Sequence, residues 1–280
     1  MIFHEESRPI GFKEKLHNIY QNILVIMSPP RCASTALARF FWHQSLFRYY
    51  SHEPYETTYY KKENVLTAQS NLLSPIDLNS SYRTDDQTLR NGLIIKEMPY
   101  QVGDNFPDLI SYATLPLLFL IRDPRLSIKS RIDKKIIASQ STNFPFIETG
   151  WELMKIQIDF CQQKQVPFII CDSTDMRNNP SAFFSLLCTR LNMPFNSQML
   201  NWKPAEQINL DNLGGEHSHL YLRVLKSSGI EPANEPIPSI KSFSNIEGLS
   251  EHVCQAMEIY SFLKNNKHTL RIDNCESQRK

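Results

Sequence analysis

The chain has 280 residues, 41% of them hydrophobic, which suits one large α/β core or such a core with a helical extension. Thirty Lys and Arg against 29 acids leave a net charge of +1, so no broad field favours nucleic acid or an acidic membrane. Six scattered cysteines without a Cys-x-x-Cys pair argue against a metal site of that type, and no apolar run is long enough to span a bilayer.

The first twenty residues are polar and lack a signal peptide's apolar segment; one short helix is predicted over Phe12 to Tyr20. A reduced, cytoplasmic setting is the expectation, with Asn79-Ser80-Ser81 an accidental glycosylation pattern. Ile23 to Met27 then reads as a β-branched apolar strand, broken at Ser28-Pro29-Pro30. Arg31, Cys32, Ala33, Ser34 and Thr35 follow, and a helical run from Ala36 ends near Tyr49. A strand, a tight turn and a helix start point several free backbone N–H groups at one spot, where the helix end adds about half a positive charge. Arg31 adds a full charge, and Ser34 and Thr35 add hydroxyl donors. An anion, first of all a phosphate, is the expected occupant. The loop lacks the glycines and lysine of G-x-x-x-x-G-K-[ST], which weakens an ATP or GTP reading. Cys32 at a helix start has a thiolate-favouring position, but the preferred reading is a bystander packed in the loop. Phe41 and Trp42 are expected in the core.

Ser51-His52-Glu53-Pro54-Tyr55 reads as a turn or strand end. Residues 56–92 are polar helix and loop, a candidate wall of an acceptor pocket. Gly92 opens a second buried strand that ends at Lys96, and Asp104 to Ala113 reads as a short helix. Leu117 to Ile121 has the continuous apolar character of a strand covered on both faces. Arg122 stands at its end, and Pro124 suits the first turn of a helix over residues 125–137. Ser127 and Ser130 are predicted one turn apart on one face of that helix. Arg122 and Ser130 can therefore grip one phosphate, and residues 138–148 form a loop.

Trp151 to Gln165 reads as a helix, Val166 to Cys171 as a strand, and Pro180 to Leu191 as an amphipathic helix. Residues 203–245 are expected to be irregular, with Trp202 anchoring them and His217 and His219 in a solvated loop. A last helix over 250–264 would turn Val253, Met257, Tyr260 and Phe262 inward, and the tail from Asn265 would fray. Strands alternating with helices give an α/β fold class, a central parallel sheet flanked by helices. One domain is expected over residues 1–280, with a core at 20–204 and a C-terminal helical extension at 205–280.

Pro30-Arg31-Cys32-Ala33-Ser34-Thr35 resembles the 5′-phosphosulfate loop of sulfotransferases that use 3′-phosphoadenosine-5′-phosphosulfate (PAPS), with Cys32-Ala33 in place of the common Ser-Gly. Arg122, Asp123, Pro124 and Ser130 are similar to the same family's 3′-phosphate motif at its offsets. The order of these motifs with His52-Glu53-Pro54-Tyr55, Lys96-Glu97-Met98-Pro99 and Ile169-Ile170-Cys171-Asp172 resembles a bacterial and fungal branch whose loop often lacks glycine. The resemblance covers about residues 22 to 204 and implies the P-loop-like sulfotransferase fold, PAPS as donor, 3′-phosphoadenosine 5′-phosphate (PAP) as product, and no metal. It implies that Arg31, Cys32, Ala33, Ser34 and Thr35 hold the 5′-phosphosulfate, and Arg122 and Ser130 the 3′-phosphate.

Cytosolic members of the family use a histidine in Lys-x-His as base, where this chain has Lys96-Glu97-Met98. Tyrosylprotein sulfotransferases use a glutamate shortly after the first helix, and Glu53 lies at a similar distance. Glu53 is thus the expected base, His52 and Glu97 the reserves, and Lys96 the residue that neutralises the leaving group. The expected acceptor is a small-molecule hydroxyl or amine, with no nucleic acid or membrane partner. A P-loop kinase or other nucleoside triphosphate enzyme, and a catalytically silent nucleotide-binding protein, stay open as alternatives.

Overall fold

The computed structural model describes residues 11–82 and 91–272. Asp85-Asp86, Cys275 and the first ten residues lie outside this range. Six strands form one sheet in the order β3-β2-β4-β1-β5-β6: β1 (Asn22–Met27), β2 (Tyr49–His52), β3 (Ile76–Asp77), β4 (Gly92–Glu97), β5 (Leu117–Ile121) and β6 (Phe168–Asp172). All neighbours are parallel except the short edge pair β2–β3, which is antiparallel. The fold class is the α/β class read from the sequence. β3 was not expected; two residues between a serine turn and a helix cap leave no periodicity to read.

Alternation along the strands sends Ile23, Val25 and Met27 to one core, and Leu24 and Ile26 to the other. The first core is covered by α1 (Gly11–Ile19), by α6 (Pro99–Val102) and α7 (Phe106–Tyr112), by α9 (Trp151–Gln163), and by α13 (Leu249–Lys264). The second is covered by α2 (Ser34–Phe41), α11 (Pro180–Arg190) and α12 (Ser218–Lys226). α3 (Glu56–Tyr60), α4 (Val65–Leu73) and α5 (Leu78–Ser81) connect β2 to the edge strand and onward. α8 (Pro124–Ile137) follows β5, and α10 (Ser173–Asn178) follows β6. Asp123 and Asp172 cap these last two helices, each accepting a backbone N–H two residues on. Phe41 and Trp42 are fully buried, as expected.

Three expectations for the C-terminal segment change. Residues 218–226 are helical, because Leu220, Tyr221, Val224 and Leu225 make an apolar stripe at helical spacing. Phe262 is half exposed; Leu249, His252, Val253, Ala256, Tyr260 and Leu263 form the buried face of α13. The tail does not fray at Asn265: Leu270 N–H donates to the Ile170 carbonyl at 2.8 Å, and Ile170 N–H to that of His268 at 3.0 Å. The C-terminal segment therefore contributes to both cores.

Arg39 anchors it. This arginine of α2 is fully buried, and its guanidinium donates to the carbonyls of Lys203 (2.6 Å), Ser227 (3.2 Å), Leu225 (3.4 Å) and Val224. The Trp202 and Trp42 rings flank it at 5.1 and 5.5 Å. The carbonyls of the last turn of α12 and of the segments beside it, with the aromatics, replace the water that a buried cation otherwise requires.

Gly92 starts β4 where Leu46 crosses it; an added Cβ would stand 2.0 Å from the Leu46 carbonyl oxygen and 2.9 Å from the Phe47 ring. Gly92→Ala is expected to cost about 1–3 kcal/mol through backbone displacement, read as a lower urea midpoint at unchanged slope.

Candidate active site

Parallel pairing places the C-terminal ends of β1, β4 and β5 side by side, and the three loops that follow carry the motif residues. They open on a cavity of about 860 Å³. Arg31, Ala33, Ser34, Thr35, Glu53, Lys96, Arg122 and Ser130 all line it.

The two arginine corners bind each other. Arg122 Nη1 donates to the Arg31 carbonyl at 2.9 Å, and Arg31 Nε donates to Ser130 Oγ at 3.3 Å. The first loop adopts left-handed backbone at Arg31 (φ 65°) and Ala33 (φ 67°), the conformation that glycine would take without strain. Ala33 ends the loop at the N-terminus of α2, where no side chain caps the free N–H groups. Ser127 does not join Ser130; it is buried and donates to the Pro124 carbonyl at 3.2 Å.

Cys32 faces the core rather than the cavity. Burial pushes its thiol up to about 12, outweighing Arg122, so the thiolate expected at a helix start is suppressed. It fills the loop's interior, and only its backbone is available to an anion.

Glu53 and Lys96 form a buried ion pair at the floor of the cavity. The register pairs His52 with Lys96, and Glu53 N–H donates to the Lys96 carbonyl at 2.7 Å. Glu53 also has left-handed backbone (φ 46°). Its second oxygen accepts from Gln101 Nε2 at 2.9 Å. Burial alone would raise the Glu53 pKa, but Lys96 and His52 outweigh it and hold the carboxyl well below the usual carboxylate range. His52 lies behind Glu53 and outside the cavity: Nε2 is 3.3 Å from Glu53 Oε1, and Nδ1 is 2.5 Å from the Tyr50 hydroxyl. Burial lowers its pKa. Glu97 is also buried outside the cavity, its oxygens taken by the backbone N–H groups of Tyr55 (2.9 Å) and Met98 (2.7 Å). Burial, reinforced by Glu53, raises its pKa well above the ordinary value. Neither reserve base lines the cavity; both shape the corner that carries Glu53.

The walls come partly from segments without a recognised motif. Of the stretch 56–92, Glu56 and Tyr60 line the cavity; of the loop 138–148, Gln140, Asn143, Phe144, Pro145 and Glu148 do. Arg131, beside Ser130 on α8, pairs with Glu148 and lies 4.8 Å from the Phe144 ring. The C-terminal segment supplies the opposite wall, including Tyr221 and His217. His217 is not solvated loop: its Nδ1 donates to Glu56 Oε1 at 2.6 Å, and Glu56 is fully buried. Arg177 on α10 is a further residue that no motif signalled. It donates to the Glu235 carboxylate at 2.9 and 3.0 Å, and Arg122 Nη2 approaches the same carboxylate at 3.3 Å.

Residues 152–265 match the family model described as "Sulfotransferase domain". The match is to sulfotransferases. It lies on a stretch that includes neither arginine loop, so the resemblance carried by those loops gains a second, separate support, and sulfonate transfer is the chemistry it favours. Two solved structures are similar to this chain. The "Sulfotransferase Domain from the Curacin Biosynthetic Pathway" is 18% identical, with 86% of this chain and 97% of that chain covered at a TM-score of 0.47. The "Sulfotransferase Domain from the Synechococcus PCC 7002 Olefin Synthase" is 14% identical, with 86% and 95% covered at a TM-score of 0.49. A comparison with curated proteins gives no significant match. Among the described residues no helix is long and apolar enough to cross a membrane.

Removing one partner of the floor pair leaves a buried charge. Lys96→Met is expected to destabilise the fold by about 3–5 kcal/mol, and Glu53→Met with Lys96→Met to recover much of that loss. Chemical denaturation of the single and double variants measures both.

Proposed function

We propose that the protein transfers a sulfonate group from PAPS to a hydroxyl or amine of a small-molecule acceptor. One observation carries the reading: two strand-to-helix corners of the two phosphate-binding types are hydrogen-bonded to each other around a single cavity. The residues fit a donor with an anion at each end. Arg31 has no acidic partner among the described residues, and its burial, next to the cations Arg122 and Arg131, lowers its pKa. A bound anion would relieve that field. At the other corner, the Glu235 carboxylate already sits on Arg122 and Arg177, which marks the position as one that takes an anion.

When bound, PAPS supplies an activated sulfonate on a phosphate leaving group. Arg31, the N–H groups at the start of α2, and the hydroxyls of Ser34 and Thr35 would hold the phosphosulfate; Arg122 and Ser130 would hold the 3′-phosphate. Lys96 would stabilise the negative charge that grows on the leaving phosphate, and Glu53, with Gln101 behind it, keeps that ammonium in place. The work of the site is positioning and charge stabilisation, the pattern shared with phosphoryl transfer. Phe144, Pro145 and the tyrosines at positions 60 and 221 would bound the acceptor's share of the cavity.

Calorimetry without metal, with PAP beside ATP and adenosine 5′-phosphosulfate, tests the donor reading. Tight binding of PAP alone supports it; preference for ATP, or no binding of PAP, sinks it. Arg122→Ala is expected to weaken PAP by about 10- to 100-fold, the worth of a charged hydrogen bond, and adenosine 5′-phosphosulfate to a smaller extent, through the support that the Arg31 loop loses. Glu235→Gln removes the competing carboxylate and is expected to tighten PAP by about two- to fivefold, as for a partly screened ion pair.

A further inference from the structure

We infer that His217, oriented by Glu56, is the general base that takes the acceptor's proton. The inference rests on the sulfonate-transfer reading and assigns it a residue outside both motif loops.

Sulfonate transfer to a hydroxyl needs a proton acceptor with a free lone pair at the cavity wall. Glu53 is in the cavity, but Lys96 and Gln101 occupy its two oxygens, and its proton affinity is low. A carboxylate in that state binds a lysine well and a proton poorly. His52 and Glu97 are walled off. His217 is arranged the opposite way. Its Nδ1–H is taken by the buried Glu56 carboxylate at 2.6 Å, which fixes the tautomer that leaves a lone pair on Nε2. With Nδ1 turned to Glu56, the opposite ring nitrogen faces away from that wall, and His217 lines the same cavity as Glu53, Lys96 and Arg31. No hydrogen bond to Nε2 occurs among the described residues.

The support of this ring is specific. Glu56 begins α3, directly after the Glu53 corner, and also accepts from Asn212 N–H at 3.4 Å. Asn212 Nδ2 donates to the His52 carbonyl at 2.7 Å and the Glu53 carbonyl at 3.2 Å, tying the segment of His217 to the corner of Glu53. The His217 backbone N–H donates to Asp211 Oδ2 at 2.7 Å, and the Tyr60 ring stands edge-on at 5.3 Å. The charged and titratable groups that face the ring are thus Glu56, Glu53, Asp211 and Tyr60. Burial lowers the His217 pKa, but the hydrogen bond and charge of Glu56, with Glu53 and Asp211, outweigh it and raise the pKa above the ordinary value.

In the step itself, the acceptor oxygen forms a bond to the donor's sulfur as the bond from sulfur to the phosphate oxygen breaks. The acceptor's proton moves to His217 Nε2, the electron pair of the broken bond leaves on PAP, and the imidazolium returns its proton to water. Glu56 is a positioning residue: it touches the base and stabilises its charged form.

The test measures turnover of PAPS with a panel of phenols, alcohols and amines across pH, and PAP affinity by calorimetry, in His217→Gln, Glu56→Gln and the wild type. His217→Gln is expected to lower kcat by about 10²–10⁴ while PAP affinity stays within twofold. The wild type is expected to gain activity as pH rises through the elevated His217 pKa. Glu56→Gln is expected to move that limb to lower pH, a change that a loosened fold does not produce, and imidazole is expected to restore part of the rate in His217→Ala. Full turnover in His217→Gln, or an unmoved limb in Glu56→Gln, overturns the assignment of the base and leaves the donor reading intact. Failure of the wild type to bind PAP overturns the donor reading itself.

Discussion

The constraint on which the site depends is the position of β1 between β4 and β5. All three run parallel, so their C-terminal ends emerge on one edge of the sheet, and each end carries one charged corner: Arg31, Lys96 and Arg122. The strands are apolar on both faces, and a slip of one residue would exchange the two cores. Burial thus fixes the register, and the register fixes the spacing of three cations about one cavity. A parallel sheet needs helices to return the chain, and two of those helices start at the same edge, bringing free N–H groups to the same place.

Charge in the cavity is organised by pairing. Lys96 is matched by Glu53, Arg131 by Glu148, and Arg122 and Arg177 by Glu235. These pairs are built from residues far apart in the chain, so each also ties a motif to a wall. The Arg31 guanidinium meets a hydroxyl and a carbonyl and, among the described residues, no acid; Lys134 and Lys135 of α8 likewise line the cavity without an ion pair there. The cavity therefore keeps unpaired positive charge at the start of α2 and along α8, although the whole chain is nearly neutral. A near-neutral composition could not reveal this charge, because it arises from which cations lack a partner in space.

The strands β1, β4, β5 and β6, most helices and the two arginine corners were legible because their signals are local: an apolar run, a proline, a cap, a motif offset. Residues whose role arises from long-range pairing were not. His217 looked solvated because the sequence nearby offers no partner, and its partner Glu56 lies 161 residues away. Arg177 and Glu235 meet across 58 residues. Glu53 was legible as a strand-end residue, and it lines the cavity, but its state was not legible, since its proton affinity is set by burial, Lys96 and His52 together. α12 was different. Leu220, Tyr221, Val224 and Leu225 display a helical stripe that the surrounding glycines and prolines obscured, and that stripe was sufficient to find it.

A loop without glycine nonetheless requires left-handed backbone at Arg31 and Ala33, and Glu53 requires it at the neighbouring corner. For residues with a Cβ this geometry costs about 1–2 kcal/mol each, so it persists only where surrounding contacts impose it. Arg122 supplies one such contact by donating to the carbonyl of Arg31 itself, and the buried Cys32 side chain between the two strained residues supplies another. The first corner's shape is in this way held by the second corner's guanidinium. An anion that draws Arg122 toward it acts on the backbone that would cradle the other end of the donor. Glycine at Ala33 would ease the strain there, but the hydrogen bond from Arg122 to the Arg31 carbonyl would still join the two corners.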